Sequence, residues 1–255
     1  MRSRALVTGA SGGIGETFAR RLADDHDLVV VARRAERLHD LAGELRVGGT
    51  DVEVLPADLR REDGLAAVEH RLASTERPVD LLVNNAGFGT TGTFADAALE
   101  RELAMVELNV VALVRLTHAA LVAMGARGRG AIVNVSSLAG FQAVPGTAVY
   151  AATKAFVTNF TEAVSEEARC SGVRLQALCP GLTRTEFHEV NAFDVGWLPG
   201  VAWQSAEEVV DASLAGLERG RVVVVPGLVN RAAATASWLA PRTLVRRLVA
   251  TALRR

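Results

Sequence analysis

The chain has 255 residues, a formal net charge of −1 and 49% hydrophobic residues, which fits one large domain with a substantial core. This near-neutral balance offers no footprint for nucleic acid, and two cysteines, Cys170 and Cys179, make neither a disulfide framework nor a metal pattern. The first strand candidate begins almost at Met1, and no uninterrupted apolar run reaches the roughly 20 residues of a membrane span. A soluble, cytoplasmic protein without leader or anchor is expected.

Short apolar runs alternate with longer amphipathic stretches. Strands are predicted at 5–8, 28–32, 52–55, 81–84, 131–136, 175–179 and 222–225, and helices at 14–23, 35–45, 61–73, 99–124, 149–169 and 206–217. Runs such as Leu28-Val29-Val30-Val31 and Val222-Val223-Val224-Val225 lack polar alternation, as in parallel strands buried on both faces. The β-α order predicts a single α/β domain over 1–255. It is a Rossmann-type, doubly wound, seven-stranded parallel sheet with helices on both faces.

Between the first strand and the first helix lies Thr8-Gly9-Ala10-Ser11-Gly12-Gly13-Ile14-Gly15. Gly9 permits a tight turn, while Gly13 and Gly15 let the chain approach a phosphate and pack on the strand. The helix N-terminus then offers free N–H groups to a pyrophosphate. A glycine turn is also found as a purely structural loop, but its place after the first strand favours a dinucleotide.

The second strand ends Ala32-Arg33-Arg34, with no carboxylate to hold ribose hydroxyls. Arg33 can fork onto a 2′-phosphate, which points to NADP(H); the bland alternative is a solvated arginine at a helix start. After the third strand come Asp58 and Leu59. Asp58 can accept from the adenine amino group, or cap the helix ahead of Arg61.

Ser137 follows the strand at 131–136, at the sheet end where open α/β folds bind ligands. Tyr150 and Lys154 are four residues apart, on one helical face. A free tyrosine titrates near about 10. The Lys154 ammonium is expected to lower that value, as acid–base work at a carbonyl oxygen requires. Ser137 would hold the same oxygen.

These motifs together resemble the short-chain dehydrogenase/reductase family, over about residues 4 to 227, in a bacterial subgroup similar to 3-ketoacyl reductases and 17β-hydroxysteroid dehydrogenases. They occur in order: TGASGGIG, NNAG at 84–87, Asn109, Ser137, Tyr150/Lys154 and Pro180-Gly181. The resemblance implies Tyr150 as acid/base, Ser137 as the residue that polarises the carbonyl, and Lys154 on the nicotinamide ribose. It implies Asn109 behind Lys154 in a water relay, with Asn84, Asn85, Ala86 and Gly87 lining the cofactor site. Thr183 and Thr185 would meet the carboxamide. Family members that prefer NADP often carry a basic residue where Gly12 stands, so Arg33 and Arg34 alone would hold the 2′-phosphate here. Membership implies a homodimer or homotetramer built on the helices at 99–124 and 149–169.

The segment 186–204 reads as a substrate lid, with Phe187, Phe193, Val195, Trp197, Leu198, Val201 and Trp203. Its apolar content, extended by Phe88, Phe141 and Val144, suits an apolar carbonyl or alcohol. The tail at 228–255 carries Arg231, Arg242, Arg246, Arg247, Arg254 and Arg255 and no acid. A helix from Pro241 with Leu244, Val245, Leu248 and Leu253 on one side would cover the domain or a partner, with contact to an anionic membrane surface the lesser option. The five histidines, His188 included, have no ligand spacing, so no metal is expected. Two other readings compete: a non-catalytic NADP(H)-binding sensor or scaffold, which needs no acid–base set, and an epimerase or dehydratase relative, which the glycine spacing disfavours.

Overall fold

Strands form where branched aliphatic residues run unbroken. The computed structural model describes residues 2–186, 203–240 and 243. It places β1 (Ser3–Thr8), β2 (His26–Ala32), β3 (Val52–Pro56), β4 (Leu81–Asn84), β5 (Gly130–Val135) and β6 (Val173–Leu178) near their predicted positions. Two short strands, β7 (Leu182–Thr183) and β8 (Trp203–Gln204), form a separate parallel pair. The last predicted strand shortens to β9 (Val223–Val224). The main sheet is parallel, in the order β3-β2-β1-β4-β5-β6-β9. Its direction of winding reverses between β1 and β4, which opens a crevice at their C-terminal ends.

Both faces of the sheet are dry. Ala5, Val7, Leu28 and Val30 join one core cluster with Phe18, Leu38 and Val209. Their neighbours Leu6, Val29 and Val31 point the other way, onto Leu65, Leu116 and Met124. This two-residue period with apolar groups at every step explains the unbroken aliphatic runs.

The helices are α1 (Gly13–Leu22), α2 (Ala35–Val47), α3 (Glu62–Ala73), α4 (Leu99–Val106), α5 (Leu113–Ala126), α6 (Ala148–Glu167), α7 (Ala206–Glu218) and α8 (Leu228–Leu239). The helix predicted at 99–124 is interrupted: a π-helical segment, Glu107–Ala112, joins α4 to α5. Leu99–Ala126 as a whole is long and apolar enough to match a membrane span by composition. Its residues Leu116, Ala120 and Met124 are nevertheless buried on the sheet, as in a core helix. In the expected tail, α8 is an alanine-rich helix whose Ala234 is buried. The helix expected from Pro241 lies outside the described residues.

Candidate active site

The glycine turn after β1 is built by backbone that other residues rarely adopt. Gly9 and Gly13 have φ of 67° and 56°, in the left-handed region. A Cβ on Gly9 would sit 2.7 Å from Asn85 Nδ2, and one on Gly15 would overlap the Gly9 carbonyl oxygen. Gly15 therefore closes α1 onto the turn and does not line the cavity above it. Thr8 Oγ1 accepts from the backbone N–H of Asn85 and of Ala86, both at 3.0 Å, and Asn85 Nδ2 donates to Thr8 O at 3.0 Å. These bonds tie the ends of β1 and β4 together across the crevice. Thr8 was not marked as a site residue in the sequence, because a strand-end threonine carries no signal by itself.

A cavity of about 740 Å³ occupies the crevice. At one end it meets Arg33, Arg34, Asp58 and Leu59; in the middle, Gly9, Ser11, Gly12, Gly13 and Ile14. Asn85, Ala86 and Gly87 form one wall, and Pro180, Gly181, Thr183 and Thr185 another. Ser137, Tyr150 and Lys154 lie at the far end. The α1 N-terminus has no side-chain cap on Gly12, so its N–H groups stay available to an anion.

Arg33 and Arg34 behave differently. Arg33 is exposed and acts on Asp58 through its charge. Arg34 is held down on the turn: Nε donates to Ser11 Oγ at 3.1 Å, Nη2 to Ser11 O at 2.7 Å, and Nη1 to Glu186 Oε2 at 3.1 Å. Glu186 is a cavity residue that the sequence reading assigned only to a lid boundary; no local pattern couples it to an arginine 152 positions away. Asp58 is bound by Arg60, through Nη2 at 2.9 Å and Nε at 3.2 Å. That hydrogen bond is the main reason its carboxyl lies below the usual range, with burial opposing. The capping alternative for Asp58 fails, because α3 starts at Glu62 with Arg61 at the cap position and no side-chain cap bond.

At the far end of the cavity, α6 carries Tyr150 and Lys154 with both side chains buried. Ser137 hydrogen-bonds Tyr150, and its Oγ also accepts from Ala139 N at 3.1 Å. Burial raises the Tyr150 phenol to about 12, against the opposing effect of Ser137. Lys154 Nζ donates to Val135 O at 2.8 Å and lies 5.8 Å from the centre of the Tyr150 ring. Burial lowers this ammonium to about 8. The expectation that Lys154 pulls the tyrosine down is thus corrected for this arrangement: desolvation dominates both groups, in opposite senses.

Asn109 sits in the π-helical segment, buried, where its Nδ2 donates to Phe88 O at 2.9 Å and Thr153 Oγ1 at 3.2 Å, and its Oδ1 accepts from Phe88 N at 3.1 Å. It stands behind the cavity wall. A Cβ on Gly87 would fall 2.9 Å from Asn109 Oδ1 and 3.6 Å from Lys154 Nζ, so Gly87 is the thin partition between them. Ser136 fixes α6 to β5, its Oγ bonded to Lys154 O and Thr158 Oγ1, each at 2.7 Å. Neither Ser136 nor Thr158 was singled out by the sequence. Gly181 turns out to be a packing residue too, since a Cβ there would meet Asn230 Nδ2 at 2.5 Å.

On the substrate side, Phe88 and Val144 line the cavity with Leu138, Ala139 and Leu182. Phe141 does not: it ends the short 3₁₀ turn Leu138–Phe141, outside the lining. Gln142 does line it, and accepts from Ser237 Oγ of α8 at 3.0 Å. Phe187, Trp197 and His188 lie outside the described residues. Among the described residues, no group of three His, Cys, Asp or Glu could hold a metal ion.

A family profile described as "short chain dehydrogenase" matches residues 3–194. Ketoacyl reductase HetN of Nostoc sp. is 36% identical over 177 residues, which span 69% of this chain and 62% of that protein. Sulfoacetaldehyde reductase 2 of Chromohalobacter salexigens is 40% identical over 190 residues, 73% of this chain and 75% of that one. A short-chain dehydrogenase from Sphingobium yanoikuyae, solved in complex with NADPH, superposes with a TM-score of 0.85 at 40% identity, covering 97% of this chain and 95% of its own.

Proposed function

Because the chain belongs to the short chain dehydrogenase family, we propose that it is an NADP(H)-dependent oxidoreductase that interconverts a carbonyl and a secondary alcohol, with Tyr150 as general acid and base. The observation that carries this reading is the cavity itself: one continuous space joins an arginine pair, a glycine turn on an open helix N-terminus, and Ser137 with the buried Tyr150 and Lys154. NADP(H) fits the residues present. Gly12 and Gly13 put no side chain into the turn, the α1 N–H groups would meet the pyrophosphate, and Arg33 would meet the 2′-phosphate. Asp58 and Leu59 would border the adenine, and Thr183 and Thr185 the carboxamide.

When bound, the nicotinamide supplies or takes up the hydride. Ser137 Oγ and the Tyr150 phenol both hydrogen-bond the substrate oxygen. Tyr150, lifted to about 12, carries its proton at neutral pH and gives it to the developing alkoxide, which suits reduction. The Lys154 ammonium would hold the nicotinamide ribose, stabilise the resulting phenolate and then give it a proton, which restores the phenol. Asn109 positions the strand-end loop through Phe88 and supports a relay that returns a proton to Lys154.

Phe88, Leu138, Val144 and Leu182 suit an apolar substrate. Exposed Leu99, Leu103, Val111 and Phe156 on α4, the π segment and α6 suit a contact with a second copy, as in a homodimer or homotetramer. Unpaired thiols, Cys170 exposed and Cys179 buried, agree with a cytoplasmic setting. The test is oxidation of NADPH and of NADH against carbonyls graded from short aldehydes to long-chain and steroidal ketones, with Tyr150→Phe as control. Turnover with NADPH that rises with apolarity and is lost in the variant is expected. Tight NADPH binding with no turnover on any substrate would move the assignment to a non-catalytic binding module.

A further inference from the structure

Glu186 sits where an anion would have to go. Its Oε2 accepts from Arg34 Nη1 at 3.1 Å, while its Oε1 lies 3.8 Å from Arg37 Nη2. The other two nitrogens of Arg34 donate to Ser11, which fixes the guanidinium over the glycine turn: a Cβ on Gly12 would lie 2.9 Å from Arg34 Nη2 and 3.4 Å from Glu186 Oε2. Thr185, the preceding residue, is just as close to the turn, since a Cβ on Gly13 would lie 3.2 Å from its Cβ. The carboxylate is therefore held beside the arginine pair at the mouth of the cavity.

We infer that Glu186 is a coenzyme-specificity residue that competes with the 2′-phosphate of NADP(H) for Arg34 and so restrains the preference for NADP(H) over NAD(H). The inference rests on the NADP(H) reading above. Only the 2′-phosphate distinguishes the two coenzymes, and it is a dianion or close to it at neutral pH. An arginine fork takes a phosphate as readily as a carboxylate. The existing pair is exposed, with 48% and 45% of the two side chains accessible, so it is weak enough to exchange. Arg33, exposed and beside the same end of the cavity, makes the first contact with the phosphate; Arg34 adds a second only when Glu186 lets go.

The experiment measures dissociation constants of NADPH, NADH and 2′,5′-ADP for the wild type, Glu186→Gln, Arg34→Gln and the double variant. Glu186→Gln keeps the side-chain size and removes the charge. It is expected to tighten NADPH and 2′,5′-ADP by about three- to tenfold, with NADH changed less than twofold and the gain shrinking at high salt. In the Arg34→Gln background the same substitution should have no such effect, because the two groups act on each other. Equal effects of Glu186→Gln on NADPH and NADH, or none on either, would overturn the inference while leaving the coenzyme reading intact. A wild type that binds NADPH no better than NADH, or neither, would instead overturn the NADP(H) reading and this inference with it.

Discussion

The central sheet has a cavity at each end, about 740 Å³ at the C-terminal ends of the strands and about 750 Å³ at their N-terminal ends, and their buried ionisable groups are arranged in opposite ways. At the N-terminal end the charges are matched. Arg4 Nη2 reaches Asp27 at 3.2 Å and Asp51 at 3.0 Å, Arg77 also pairs with Asp51, and Arg127 and Arg129 flank Asp80 at 3.8 and 3.5 Å. At the C-terminal end, Lys154 is buried with a carbonyl oxygen as its hydrogen-bond partner, and Tyr150 is buried beside a serine. Matched charges hold strand ends in register; ionisable groups buried without opposite charge are costly unless their chemistry is used. Size does not separate the two cavities, but the state of their ionisable groups does.

The largest difference between the ends should appear when one polar atom is removed from each. Tyr150→Phe at the C-terminal end is expected to lower turnover by about a thousandfold, the usual scale for losing a general acid. NADPH affinity should change less than threefold and the melting temperature little. Loss of cofactor binding in proportion to turnover would remove Tyr150 from the acid–base role.

Asp27→Ala at the N-terminal end should do the reverse. It leaves the buried Arg4 guanidinium with Asp51, and among the described residues Arg4 Nε and Nη1 already lack hydrogen-bond partners. A loss of about 2 kcal/mol in unfolding free energy is expected, with kcat and NADPH affinity preserved. Urea denaturation alongside steady-state kinetics checks this, and a kinetic defect in a folded variant would show that the two ends communicate.

Legibility in the sequence followed the same division. The glycine turn, the strand ends and the Tyr150–Lys154 spacing could be read because each is local: a few adjacent residues with a fixed geometric need. The sheet could be read because both its faces are apolar. What could not be read depends on distant partners or on lengths too short for a period. Glu186 meets Arg34 only in three dimensions, and Arg60 takes Asp58 by a turn whose residues carry no special signature. The π-helical segment Glu107–Ala112 hides inside unbroken helical periodicity, although it is what sets Asn109 against Phe88. Strands β7 and β8 have two residues each, which leaves no alternation to detect. The spacing predicts a lowered Tyr150 where the structure raises it, because i,i+4 proximity fixes neighbours but not burial.

That burial makes the next test a titration. Lys154 has a folded value of about 8 against 10.5 for a free lysine, so between these pH values the unfolded chain binds the extra proton. Stability should therefore rise with pH from about 8 towards 10.5, by about 1 to 3 kcal/mol. Tyr150 runs the other way: with a folded value of about 12 against 10.0, it removes stability above about pH 10. The buried Cys179 thiol, raised from 9.0 to about 11, also removes stability above about pH 9, so the net expectation is a rise from about pH 8 to 9, a plateau to about 10 and a fall beyond. Lys154→Met should abolish the rise, and Asp27→Ala should keep it. A flat profile in the wild type would mean that Lys154 titrates normally in the folded protein.

The smallest expected effect lies at the rim of the cavity, where solvent screens charge. Arg33 is exposed, and a charge-assisted hydrogen bond to a phosphate at such a site is worth about 1.4 kcal/mol. Arg33→Ala should weaken NADPH about tenfold, leave NADH within twofold and leave the pH profile of stability unchanged. Arg34→Ala should behave differently, because Arg34 also bridges Ser11 and Glu186. It should disturb the turn and weaken both coenzymes, NADPH more. If the two arginines gave the same pattern, the division between an exposed arginine that reads the phosphate and a bound one that shapes the turn would fall.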